Sequence, residues 1–148
     1  MNWLTNYVKP KLEAVLKRKT PDNLWHKCKG CGQMIFAKEF KSNQSICANC
    51  DYHDRIGPKA RFDALFDNSD YEVLLIKASV DDPLKFKDQK KYTDRLKEAR
   101  AKSGDLDALK VSVGRMGGIE TVIAVQNFSF MGGSMGVGVG EGLVSAAI

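Results

Sequence analysis

Cys28, Cys31, Cys47 and Cys50 are all the cysteines of the 148-residue chain, and they are spaced C-x2-C-x15-C-x2-C. Two residues between thiols let a tight turn aim both sulfurs at one point. The 15-residue span is long enough to bring the second pair opposite the first. Gly30 and Gly32 give the first turn its backbone freedom. The product is a closed tetrahedral S4 site that suits zinc, a borderline-soft ion with no d-electron preference of its own. Two disulfides are the rival pairing, but they belong to small secreted chains. A four-thiolate iron or iron–sulfur site is the other alternative. Four thiolates leave no open coordination position, so the expected zinc is structural. It would contribute on the order of 10 kcal/mol to folding a ribbon too small to fold alone. His26 and His53 flank the two turns and are assigned no metal role.

A second group of residues offers backbone rather than side-chain chemistry. Asn127-Phe-Ser-Phe-Met-Gly-Gly-Ser-Met-Gly136 follows an alternating apolar segment and precedes a stretch of helical spacing through Val137, Glu141, Val144 and Ser145. A strand, a Gly-Gly turn and a helix start present free N–H groups and the positive end of a helix dipole, which stabilise a phosphate or a developing oxyanion. A tight structural turn followed by a closely packed helix fits the same spacing equally well. The segment lacks both the Lys-Ser/Thr of a P-loop and the G-x-G-x-x-G register of a dinucleotide fold.

The elements that must hold these groups can be placed coarsely. Leu4, Val8, Leu12, Val15 and Leu16 predict an amphipathic helical segment within 1–22, kinked at Pro10. The ribbon occupies 23–56 as short strands, its small core supplied by Trp25, Phe36, Phe40 and Tyr52, and Gly57–Pro58 marks its end. A further α/β region occupies 57–148. There Ala60–Phe66 predicts a helix with Phe62, Leu65 and Phe66 on one side, and Tyr71–Ile76 a short strand. Asp88–Lys102 predicts a helix with Tyr92, Leu96 and Ala99 inward and Gly104 as its stop. Ala108–Val113 and Ile119–Gln126 alternate around Gly117–Gly118, a strong hairpin signal.

Charge divides the chain unevenly. The formal charge is +5, yet residues 111–148 hold only Arg115, Glu120 and Glu141 among the charged side chains, together with nine of the 13 glycines. A segment so poor in charge belongs inside a core or against a partner. It breaks off within an apolar run that carries no helix-stop signal, as an unfinished domain would. No apolar run approaches the ~20 residues of a membrane span, and the first residues lack a secretory h-region, so neither a membrane nor a secreted protein is expected. The basic ribbon, with Lys27, Lys29, Lys38 and Lys41, leaves nucleic-acid binding as a second reading, with the four aromatics as stacking surfaces.

Taken together, the motifs resemble a known family. They are W-x-K-C-x-x-C…C-x-x-C-x-x-H from Trp25 to His53, R-x-x-x-L-F-D at Arg61–Asp67, D-P-L-K-F-K-D at Asp82–Asp88, K-K-Y-x-D-R-L at Lys90–Leu96 and F-x-F-M-G-G-S-M-G at Phe128–Gly136. This series resembles the β subunits of bacterial acetyl-coenzyme A carboxylase carboxyltransferases, whose members are roughly twice as long. The resemblance implies a zinc ribbon followed by the first half of a crotonase-like (ClpP-like) α/β domain. It implies transfer of a carboxyl group from carboxybiotin to acetyl-CoA, giving malonyl-CoA for fatty-acid synthesis. The implied partners are an α subunit in an α2β2 assembly, the biotin carboxyl carrier protein and biotin carboxylase, in the cytoplasm.

Met131, Gly132, Gly133 and Ser134 are then the expected backbone lining for CoA or its thioester, and Lys85, Lys87, Lys90 and Lys91 are candidates for its phosphates. One departure concerns the helix start, where Val-Gly-Val-Gly-Glu-Gly follows Gly136 in place of the family's Ser-Val-Val-Gly-Glu-Lys. The other is length. The second oxyanion turn belongs to the missing half, so the chain alone is expected to be inactive, with an inert scaffold as a further possibility.

Overall fold

The computed structural model describes residues 24–76 and 80–148. The helical segment expected within 1–22 lies outside the described residues. The chain divides into two compact units that part between Asp54 and Arg55.

In the first unit, β1 (Trp25–Lys27) pairs antiparallel with β2 (Met34–Phe36), with Trp25 opposite Phe36. A six-residue helix, α1 (Ala37–Ser42), follows directly. The strand pair exists to close the first cysteine turn. Cys28 N–H donates to the Gln33 carbonyl at 2.9 Å, and Gly32 N–H to the Cys28 carbonyl at 2.9 Å. The second turn repeats this pattern, with Cys47 N–H to Tyr52 and Asp51 N–H to Cys47, both at 2.9 Å. Each turn ends on a residue in the left-handed region, Gly32 (φ 74°) and Asp51 (φ 54°). Phe40, Cys28 and Cys47 are the buried core of this unit. The expected aromatic core is therefore only partly observed, because Trp25 (60% exposed) and Tyr52 (38%) face outward. Tyr52 still fixes Gly30, since a Cβ there would lie 2.9 Å from the Tyr52 Cβ.

The second unit opens with α2 (Pro58–Leu65), where Pro58 takes the first turn and Gly57 caps it. A 3-10 turn (Asp67–Ser69) leads into β3 (Tyr71–Leu74). Then come α3 (Tyr92–Ser103), β4 (Leu109–Met116), β5 (Ile119–Gln126) and α4 (Val137–Ala147). The three strands form an antiparallel sheet in the order β3-β4-β5. The hairpin runs from Leu109 opposite Gln126 to Met116 opposite Ile119. Gly117 (φ 61°) and Gly118 (φ 80°) give both central turn positions the positive φ that a twisted two-residue hairpin demands. Their amides donate to the two carboxylate oxygens of Asp67 at 2.9 and 2.8 Å. Those bonds from Gly118 and Gly117 hold the Asp67 carboxyl below the usual carboxylate range.

The central strand is covered on both faces. On one side Leu109 and Val111 pack with Leu96 and Ala99 of α3, Val139 of α4, Ala108 and Phe130. On the other, Phe62, Phe66 and Tyr71 cluster with ring centroids 5.4–6.1 Å apart. Two expectations, for Leu65 and for the start of α3, are corrected here. Leu65 points outward, because α2 ends there and Phe66 turns back under the sheet. α3 starts at Tyr92 rather than Asp88, because the Asp88 carboxylate captures the Lys90 amide at 2.9 Å and competes with helix. α4 buries Gly138, Val139 and Gly142, leaving Val137, Leu143 and Val144 exposed.

Candidate functional site

The four cysteine sulfurs converge, all lying within 4.8 Å of one another. Cys28 and Cys50 are 3.7 Å apart, and Cys31 and Cys47 3.8 Å. A tetrahedron with Zn–S bonds of about 2.3 Å has edges of about 3.8 Å, so the donor set has the dimensions of a zinc site. The sulfurs also conflict electrostatically. Asn49 Nδ2, 3.5 Å away, and the Gln33 backbone lower the Cys31 thiol to about 6. Cys50 is pulled down by the Tyr52 amide, yet desolvation and the other three sulfurs push it up to about 12. Four thiolates this close need a dication, and a structural Zn2+ fits. His26 instead stacks on Phe40 at 4.0 Å and lies 3.6 Å from an Asp54 oxygen, while His53 pairs with Ile46 in a β-bridge.

The glycine turn is a separate arrangement in the second unit. Met131 (φ 46°), Gly132 (φ 70°) and Gly133 (φ 78°) form three consecutive left-handed residues. Glycine supplies two of these at no steric cost, while Met131 carries the strain of a side chain there. Gly133 N–H donates to the Phe130 carbonyl at 2.8 Å, and the Gln126 side-chain amide binds the Gly133 carbonyl. Among the described residues no acceptor meets the amides of Gly132 and Ser134. The turn thus offers free N–H groups close to the N-terminus of α4, itself capped only by Gly136 with no side-chain bond.

A cleft of 400 Å³ lies beside it, walled by Leu84, Phe86, Tyr92, Leu96, Met131 and the first turn of α4. That volume is in the range of small-molecule sites. A bidentate ion pair from Arg100 to Asp81 (2.6 and 2.9 Å) stands between this cleft and a neighbouring one of 530 Å³. The four candidate lysines are not among the residues lining either cleft. Lys90 pairs with Glu98, and Lys87 bridges to Lys91 on the outer surface.

Sequence reasoning missed what anchors the turn. Asn127 is 6% exposed and is bonded on every side. Its Nδ2 donates to Asp105 at 2.6 Å, and its Oδ1 accepts the Ser129 N–H at 2.9 Å and hydroxyl at 2.7 Å. The signal was present as Asn-Phe-Ser directly after a strand, the pattern of a side chain bonding two residues ahead.

Comparison with known proteins bears on both sites. The family profile described as the acetyl-CoA carboxylase zinc finger domain matches residues 25–50, spanning all four cysteines. A protein of Jannaschia sp. (strain CCS1) is 47% identical over 148 residues, covering 99% of this chain and 46% of its own length. One from Nitrobacter winogradskyi is 49% identical over 97% of this chain and 45% of its own. Another from Bradyrhizobium sp. (strain ORS 278) is 47% identical over 97% of this chain and 46% of its own. All three are named acetyl-coenzyme A carboxylase carboxyl transferase subunit beta, and the chain spans about half their length. Over nearly its whole length, the chain is similar in sequence to proteins named as carboxyl transferase β subunits of acetyl-coenzyme A carboxylase.

Proposed function

We propose that these 148 residues serve as the zinc-ribbon and first catalytic segment of a carboxyltransferase β subunit. The reaction moves a carboxyl group from carboxybiotin, carried on its carrier protein, to acetyl-CoA. The observation that carries this reading is the turn Met131–Ser134, with unpaired amides beside a cleft and a helix N-terminus. Similarity to proteins named for that activity supports it, and favours it over nucleic-acid binding.

The chemistry needs few side chains. Removing a proton from the acetyl-CoA methyl gives an enolate whose oxygen must be stabilised. Backbone donors aimed at that oxygen are worth on the order of 3–4 kcal/mol each in a dry site. The biotin ureido nitrogen, once its carboxyl leaves as CO2, takes the proton, and the enolate carbon attacks CO2 to give malonyl-CoA. Gly132 and Ser134 N–H are the donors we assign to the thioester oxygen, with Met131 and Gly133 shaping the turn. The adjacent apolar cleft takes the acyl or pantetheine portion.

The order hairpin, glycine turn, helix supports a crotonase-like domain with a boundary from the ribbon near residue 56. Exposed Met135 (76%) and Val144 (60%) support burial against the remainder of a longer β chain or an α subunit. Among the described residues no helix is long and apolar enough to cross a membrane. The four unpaired cysteines at zinc spacing support a reducing compartment, the cytoplasm. The test is to assemble a full-length β chain containing these residues with an α subunit and carboxylated carrier protein. Malonyl-CoA should form from acetyl-CoA, and a fully assembled, zinc-loaded complex that forms none would overturn the reading.

A further inference from the structure

We infer that Asn127 is a positioning residue, linking the end of α3 to the amides of the Met131–Ser134 turn; this rests on the carboxyl-transfer reading. The bonds form one continuous path. The Ser103 hydroxyl donates to the Ala99 carbonyl at 2.8 Å and accepts the Asp105 N–H at 3.1 Å. Asp105 then accepts Lys110 Nζ at 2.6 Å on one oxygen and Asn127 Nδ2 at 2.6 Å on the other. Asn127 Oδ1 receives both donors of Ser129, and the Asn127 carbonyl receives the Phe130 N–H at 3.1 Å. Phe130, 2% exposed, in turn accepts the Gly133 N–H. The Asn127 side chain therefore holds Ser129 against Asp105, and its main-chain carbonyl holds Phe130, where the turn begins.

Only an amide satisfies this position. It donates toward a carboxylate while accepting from a backbone N–H, which neither a carboxylate nor an apolar isostere does. Buried and bonded throughout, the side chain fixes where the Gly132 and Ser134 amides point. A shift of about 1 Å in such donors is enough to lose catalysis without loss of binding.

The test is a swap within the assembled complex. Asn127→Asp sets two carboxylates against each other at the 2.6 Å contact, and one of the pair then holds a proton to a raised pKa. Lys110 on β4 faces the pair, and Arg100 of α3 and Asp107 in the same connection are the other nearby charges. The expected result is a kcat on the order of tenfold below wild type at about pH 8, with KM for acetyl-CoA changed far less. The variant-to-wild-type ratio should rise as pH falls toward about 6, where the shared proton restores the hydrogen bond. Combining Asn127→Asp with Asp105→Asn exchanges donor and acceptor, and should restore kcat and flatten the pH profile of that ratio.

A ratio independent of pH, or a double variant no better than Asn127→Asp, overturns the inference, as does an Asn127→Asp complex with unchanged kcat. If Asn127→Asp does not fold, the double variant must recover a soluble, active complex, and its failure to do so also overturns the inference. A wild-type complex that makes no malonyl-CoA refutes the carboxyl-transfer reading itself, and the two failures are thereby distinguished.

Discussion

Two glycines in α4, two residues apart, should respond in opposite ways to the same added methyl group. A Cβ on Gly140 meets nothing within 4 Å, whereas one on Gly142 lies 2.7 Å from Leu109 Cδ2 and 2.8 Å from Ile76 Cδ1. Replacing a helical glycine by alanine gains about 1 kcal/mol by restricting the unfolded chain. Gly140→Ala should therefore stabilise by about 0.5–1 kcal/mol. At Gly142 the same gain is opposed by overpacking, about 1–3 kcal/mol where neighbours cannot retreat. Leu109 is only 7% exposed and sits in the buried cluster, so it has little room to move. Gly142→Ala should come out between neutral and about 2 kcal/mol destabilising, which separates the variants by about 1–3 kcal/mol. In a unit of this size each kcal/mol moves the unfolding midpoint by about 4–8 °C. Thermal unfolding followed by circular dichroism resolves that difference. Equal upward shifts for both variants would refute the packing of α4 against β4.

Other consequences follow from the two sites and the hairpin. The purified chain should carry about one zinc, measured by elemental analysis, and Cys47→Ser should abolish stoichiometric binding because that sulfur is fully buried in the cluster. Asp67 contributes stability that is present above its ordinary pKa near 4 and is lost as pH falls through its lowered folded value. Wild type should thus lose denaturant resistance below about pH 4 more steeply than Asp67→Asn, and identical pH profiles would remove the clamp on Gly117 and Gly118. Phe62→Ala should cost about 3–5 kcal/mol and the neighbouring Leu65→Ala much less, since Phe62 is 1% exposed and Leu65 37%.

Local signals in the chain were sufficient wherever one residue type has one geometric use. Cysteine spacing placed four sulfurs together because thiolate pairs at this separation close only around a common point. Gly117–Gly118 and Gly104 located a hairpin and a helix end, since each adopts the positive φ those features require. Local pattern failed where tertiary contacts decide. Helical spacing through Val137, Glu141, Val144 and Ser145 did not show which face of α4 packs inward, and the close approach of α4 to β4 selects its glycines for that face. The helix Ala37–Ser42 is too short to show a period. Asn127 and Asp105 are 22 residues apart, so their bond exists only once the hairpin brings β5 back beside β4.

The most direct test of the account is the turnover of Gly133→Ala in the assembled complex. Its Cβ would make only ordinary contacts, at 3.5 Å or more, with Gln126 and Phe128. The substitution therefore perturbs the backbone at φ 78° and little else, at a cost of about 1–2 kcal/mol. If the turn's amides stabilise the enolate, kcat for malonyl-CoA formation should fall on the order of tenfold or more, with KM and zinc content close to wild type. A variant that is less stable but turns over at the wild-type rate would contradict the account, leaving the turn a structural feature alone.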